Sequence, residues 1–117
     1  MENEFTTYEQ ALALKELGFD EPCFGYYDEG GNLYTEMVEV LKAPLYQQAF
    51  RWFREKYKLN SSILLVANGY GFYVHKDRNY TNNGESYGVY ITYKEAEQAC
   101  LDKLIKICKT KTNEQID

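Results

Sequence analysis

Ser62-Ile-Leu-Leu-Val-Ala67, Asn68-Gly69 and Tyr70-Gly-Phe-Tyr-Val-His75 form the stretch that decides the fold. Two runs of β-branched and aromatic residues flank a two-residue turn signal, which is the pattern of a β-hairpin. Asn-Gly supplies the two positive-φ residues that a type I′ turn requires. The first arm is apolar at successive positions, so it is expected to be a central strand covered on both faces. Asp77 to Glu85 is polar and loop-like, and Ser86 to Ile91 reads as a third strand. Side chains alternate along a strand. Phe72 and Val74 are therefore expected to share the covered face with Val89 and Ile91, while Tyr73, His75 and Tyr90 point the other way. That second face needs cover from the N-terminal part of the chain, from another subunit or from a ligand.

A helix is expected on each side of these strands. Leu45-Tyr-Gln-Gln-Ala-Phe-Arg-Trp-Phe-Arg-Glu-Lys-Tyr57 carries the single tryptophan. Pro44 suits the first helical position, where a missing N–H costs nothing. Leu45, Ala49, Trp52, Phe53 and Tyr57 fall on one side, widened by Tyr46 and Phe50. Gln47, Gln48, Arg51, Arg54, Glu55 and Lys58 fall on the other. Thr92-Tyr-Lys-Glu95 is a capping box, and the helix it opens is expected to end near Lys109. Its inward residues are Ala96, Ala99, Cys100, Leu104, Ile105 and Cys108.

Upstream, Thr6-Thr-Tyr-Glu9 reads as another capping box, with Thr6 as the cap. The helix runs from about Thr7 to Leu17, with Ala11, Leu12, Leu14 and Leu17 as its apolar stripe and Gly18 as its stop. Cys23-Phe-Gly-Tyr-Tyr27 reads as a strand, and Asp28-Glu-Gly-Gly-Asn32 as a turn. Leu33 to Leu41 is expected to return as the hairpin partner, with Glu36 and Glu39 exposed.

The resulting order is α-β-β-α-β-β-β-α, an α+β fold with an antiparallel sheet. A single domain over residues 1–117 is expected, with 1–5 and 110–117 loose. The last five elements resemble the double-stranded-RNA-binding fold in topology. In that family a lysine cluster at the start of the final helix meets phosphate. Here the position reads Tyr93-Lys-Glu-Ala-Glu97, so double-stranded nucleic acid is not expected as a partner. The net charge of −5 points the same way, because phosphate binding rests on lysine and arginine. Three cysteines without a CxxC, an acidic N-terminus without an apolar core segment and the lack of a long apolar run favour a reducing cytoplasm and no membrane partner.

Twelve tyrosines are the unusual feature of the composition. Tyrosine joins a large ring to a polar tip, so the excess suits either a sealed core or a binding face. Arg51 and Arg54 beside Trp52 form the best candidate anion site, since a guanidinium holds phosphate and an aromatic ring stacks a base. The structural alternative pairs Arg51 or Arg54 with Glu55. His75, with Asp77 two residues on, is the only candidate base, set against a half-buried strand histidine. Cys100 and Cys108 read as small core residues. Asp28 to Asn32 lacks the alternating ligands of a calcium loop, and Gly69-Tyr-Gly71 is too small a fragment to be a phosphate loop. No catalytic residue, metal or cofactor is expected. Arg51, Trp52, Arg54, Tyr73, His75 and Tyr90 are the candidate ligand- or partner-binding residues.

Three strings carry a further likeness: Tyr8 to Tyr27, Pro44 to Tyr57 and Tyr93 to Ile105. They resemble a group of short uncharacterised proteins encoded by phages and prophages of Bacteroidetes-type bacteria, whose members differ most across Leu59 to Ser86. The resemblance implies a small cytoplasmic phage accessory protein acting on its host. The expected function is non-enzymatic capture of a host protein or sequestration of a small anionic, nucleotide-like ligand. The rival expectation is a structural protein that self-associates as a homo-oligomer through an aromatic sheet face.

Overall fold

The computed structural model describes residues 4–35, 41–76 and 85–116. The architecture is α+β: α1 (Tyr8–Glu16), β1 (Gly25–Tyr27), β2 (Leu33–Tyr34), β3 (Leu41–Ala43), α2 (Tyr46–Tyr57), β4 (Leu59–Val66), β5 (Gly69–Lys76), β6 (Glu85–Tyr90) and α3 (Tyr93–Ile116). Two antiparallel three-stranded sheets have the orders β2-β1-β3 and β4-β5-β6. The chain divides into two compact units, Met1–Ala49 and Phe50–Asp117.

The first unit opens with a cap shifted one residue from its expected place. Thr7, not Thr6, is the N-cap. Its hydroxyl accepts from the Gln10 N–H at 3.1 Å, and the Gln10 Oε1 accepts from the Thr7 N–H at 3.0 Å. The shift has a tertiary cause. Thr6 is buried, its N–H donates to the Pro44 carbonyl and its carbonyl accepts from the Tyr27 hydroxyl at 2.6 Å. The Gln10 Oε1 also accepts from the buried Tyr46 hydroxyl at 2.7 Å, which Glu9, on the exposed side of the helix, does not do. At the other end Phe19 N–H bonds the Leu14 carbonyl and Gly18 N–H the Lys15 carbonyl, with Gly18 at φ +99°. This is a Schellman cap, and buried Phe19 and Leu14 supply its apolar contact. Leu12, expected in the apolar stripe, is exposed.

β1 is the central strand of the first sheet and pairs with both β2 and β3. The single returning strand expected over Leu33 to Leu41 is thus two short strands on opposite sides of β1. Residues 36–40, including Glu36 and Glu39, lie outside the described residues. One sheet face carries Tyr27, Leu41 and Ala43, which form a core with Phe5 and Ala11. Phe5, expected in a loose terminus, bridges to Leu45 and is buried. The turn after β1 is closed by Asp28, whose Oδ1 accepts from the N–H groups of Gly30 and Asn32, both at 2.9 Å. Pro44 is buried two residues before the first residue of α2, and Leu45 accepts the first helical bond from Ala49.

In the second unit, β5 is central and β4 is an edge strand. The doubly covered β4 expected from its apolar run is therefore incorrect, and Leu64 and Leu65 are exposed. Its residues are apolar at successive positions, but only one set faces α3. The two-residue loop between β4 and β5 is Ala67 and Asn68, with Val66 paired to Gly69. Asn68 does not take a positive φ, so the expected type I′ turn at Asn68-Gly69 is not formed. Glycine at 69 answers a different need. A Cβ there would collide with the Tyr90 carbonyl oxygen of β6.

The largest departure lies in β6. Tyr70 pairs with Tyr90, but Phe72 pairs with Tyr87, so Gly88 and Val89 together face Gly71. This is a one-residue bulge with Gly88 at φ +65°. Beyond the bulge every side chain changes face. Tyr90 stacks on Phe72 with ring centroids 6.2 Å apart, and Val89 and Ile91 are exposed. The expected grouping of Phe72 and Val74 with Val89 and Ile91 is therefore corrected, and so is the outward Tyr90.

α3 packs on the Phe72 face of the sheet. Its buried residues are Ala96, Glu97, Cys100, Leu101, Leu104, Ile105 and Cys108, and Tyr93 meets Tyr70 edge-on at 5.9 Å. The Thr92 hydroxyl accepts from the Glu95 N–H at 3.1 Å, as the capping pattern requires. The helix continues to Ile116, past the expected end near Lys109.

Candidate partner-binding surfaces

The six residues picked out from the sequence do not form one site. Trp52 is buried, edge-on to Phe53 at 5.1 Å and to Tyr57 at 5.5 Å. The ammonium of Lys56 lies 5.2 Å from the Trp52 ring centroid, a cation–π contact. Trp52 is thus a packing residue and offers no stacking platform. Arg51 and Arg54 are on the exposed side of α2, and Arg51 Nε lies 4.0 Å from Glu55 Oε1. Both partners of that pair are solvated, so it contributes little. Arg51 and Arg54 thus stand on a solvated helix face, with Glu55 beside Arg51.

Tyr73 and His75 do lie where the alternation put them, on the sheet face away from α3. Their rings are 5.7 Å apart. The register sets Tyr73 opposite Ser62 and His75 opposite Asn60, on the same face as Leu64 and Val66. Directly opposed residues share a face. The bulge adds Val89 to this side, 63 % exposed, with Leu64 39 % exposed. Leu64, Val66 and Val89 are residues that sequence reasoning missed. The edge position of β4 leaves Leu64 exposed and Val66 half-buried, and the bulge of β6 exposes Val89; Gly88 inside the strand pattern is the one local signal among these. Asp77, the suggested partner of His75, lies outside the described residues.

A second open surface lies on the first sheet. Tyr26 stands directly opposite Tyr34 on one side and Lys42 on the other. This is the face away from Tyr27, Leu41 and Ala43. Tyr34 is 42 % exposed, and Phe24, two residues before Tyr26, is 72 % exposed. Lys42 Nζ is bound to Asp20 Oδ1 at 2.8 Å. The hydrogen bond to Lys42 holds the Asp20 carboxyl below its ordinary range, and the Tyr34 phenol is raised by its hydrogen bond to Asp28. The strand expected over Cys23 to Tyr27 begins only at Gly25, and Phe24 sits at a bend before it.

The thiols of Cys23 and Cys100 are not poised for attack. Burial pushes the Cys100 thiol up to about 12, against the relief of a Ser61 hydrogen bond. It pushes Cys23 up to about 11. A reactive thiol needs the opposite shift. Among the described residues, no group of three or more His, Cys, Asp or Glu side chains is arranged to hold a metal ion. Among them too, no helix is long and apolar enough to cross a membrane. No protein-family model, curated protein or solved structure matches the chain.

Proposed function

We propose that the chain is a non-enzymatic binding protein of phage origin that acts on its bacterial host in the cytoplasm by occupying a host protein. The observation that carries this reading is the open face of the β4-β5-β6 sheet, where Leu64, Val66, Tyr73 and Val89 lie together without cover by α3. Exposed apolar side chains gathered on one rigid sheet mark an interaction surface. A tyrosine anchor amid aliphatic residues is the composition of a protein-binding patch. Sequestration of a small anionic ligand is the weaker half of the expectation, because Trp52 is buried and Arg51 faces Glu55. The raised thiols of Cys23 and Cys100 favour binding over covalent catalysis.

Self-association is the second reading, and one observation favours it. β4 runs eight residues along the sheet edge with neither proline nor charge. Edge strands normally carry such features to block pairing. A pull-down from host lysate, run beside sedimentation of the purified chain, separates the two. Leu64→Ser with Val89→Ser should abolish a host complex. A homo-oligomer with no host protein bound would favour assembly.

A further inference from the structure

We propose that the outer face of the first sheet docks a basic segment, bearing arginine or lysine, of a partner protein. This goes beyond the surface proposed above. It concerns the other unit and does not depend on what the second sheet binds.

The rings supply the first part of the argument. Tyr26 and Tyr34 are neighbours across the β1–β2 pair, and Phe24 lies at the bend that immediately precedes β1. Phe24, 72 % exposed at the entry to the sheet, keeps its ring in water. Aromatic faces attract cations through the ring quadrupole, and arginine is the commonest such partner.

The charge supplies the second. Residues 1–49 contain ten acidic residues against two lysines, a net charge of −8. Residues 50–117 contain eight acidic residues against eleven basic ones, a net charge of +3. The acidity of the chain thus belongs wholly to the unit that carries the exposed aromatic face. The one lysine on that face, Lys42, is already engaged by Asp20.

These facts select the occupant. A nucleic acid or an acidic ligand would be repelled. A second copy docked on the same face would set −8 against −8, and like charges brought together oppose association. A neutral apolar segment would use the rings but not the charge. A basic segment uses both: its cations lie over Phe24 and Tyr34, and the surrounding field speeds its approach.

The test is a fluorescence-anisotropy titration of the full chain with a labelled peptide of alternating arginine and glycine. Peptides with glutamine or glutamate in place of arginine are the controls. The arginine peptide should saturate, and the glutamate peptide should not bind. Affinity should fall about tenfold or more between about 50 and about 300 mM salt, as screening of exposed charge requires. Phe24→Ser with Tyr34→Ser should weaken binding about tenfold, the scale of one or two cation–π contacts. Leu64→Ser with Val89→Ser should leave it unchanged. Phe24→Ser alone keeps the test sound if the double variant is unstable, because that side chain lies outside the core. An unchanged affinity in the Phe24 variant would mean diffuse charge attraction and would overturn the proposal. A preference for the glutamine peptide, or a dimer of the chain that buries Phe24, would overturn it too.

Discussion

The Tyr90 ring lies nearly parallel to that of Phe72, with centroids 6.2 Å apart and planes at 24°. This contact exists because Gly88 absorbs an extra residue at φ +65°. The same bulge turns Val89 outward, so one backbone irregularity both completes the α3-facing core and builds the open face. A Cβ on Gly88 would come within 2.6 Å of Tyr90 Cε2. Gly88→Ala should therefore cost about 2–3 kcal/mol, combining left-handed strain with a clash. Urea denaturation measures it. The Gly88→Ala, Tyr90→Ala double variant should recover part of the cost, since the two positions are in contact.

The two threonines that begin α1 should respond in opposite directions. Thr7→Ala removes the cap and should cost about 1 kcal/mol. Thr6 Oγ1 is buried with no hydrogen-bond partner among the described residues. Thr6→Val keeps the shape and removes that orphaned hydroxyl, so it should be neutral or stabilising by up to about 1 kcal/mol. Thermal melts of both variants check the pair.

Asp28 should make the β1–β2 turn sensitive to acid. The bond from the Asn32 backbone N–H, the largest influence, holds its carboxyl below the ordinary 3.8. A depressed folded value means the ionised form stabilises the fold. The contribution is complete above about pH 4 and is lost as pH falls through the folded value. The amide signals of Gly30 and Asn32 should shift together in that window in an NMR titration, and Asp28→Asn should remove the shared transition.

Cys100 gives the converse behaviour at high pH. Its thiol is pushed from 9.0 to about 12, mainly by burial. A raised folded value means the protonated form stabilises the fold, fully below about pH 9 and progressively less as pH rises towards 12. Stability to urea should decline over that range, and less steeply in Cys100→Ala. At neutral pH, iodoacetamide should leave Cys100 unmodified in the folded chain and label it after denaturation.

Features with local causes were legible in the sequence. The Thr92 cap, the Gly18 stop, the β4–β5 hairpin and the buried side of α2 follow from spacing and residue type. So does the outward placement of Tyr73 and His75. The misplaced features have partners distant in sequence. Thr6 fails as a cap because Pro44 and Tyr27 claim its backbone. Gly69 looks like a turn residue but makes room for the Tyr90 carbonyl. An apolar run such as Ile63 to Val66 reads alike in a central strand and an exposed edge, because periodicity does not report neighbours. Tyr90 and Trp52 left the candidate site for the same reason. A bulge reversed one, and tertiary packing buried the other.

Native mass spectrometry of the chain purified from host lysate tests the central claim most directly, with Leu64→Ser, Val89→Ser as the paired variant. Occupation of a host protein predicts a discrete complex of this chain with that protein, present for the unmodified chain and absent for the variant. A complex that survives both substitutions, or a chain recovered only as a monomer or homo-oligomer, would contradict it.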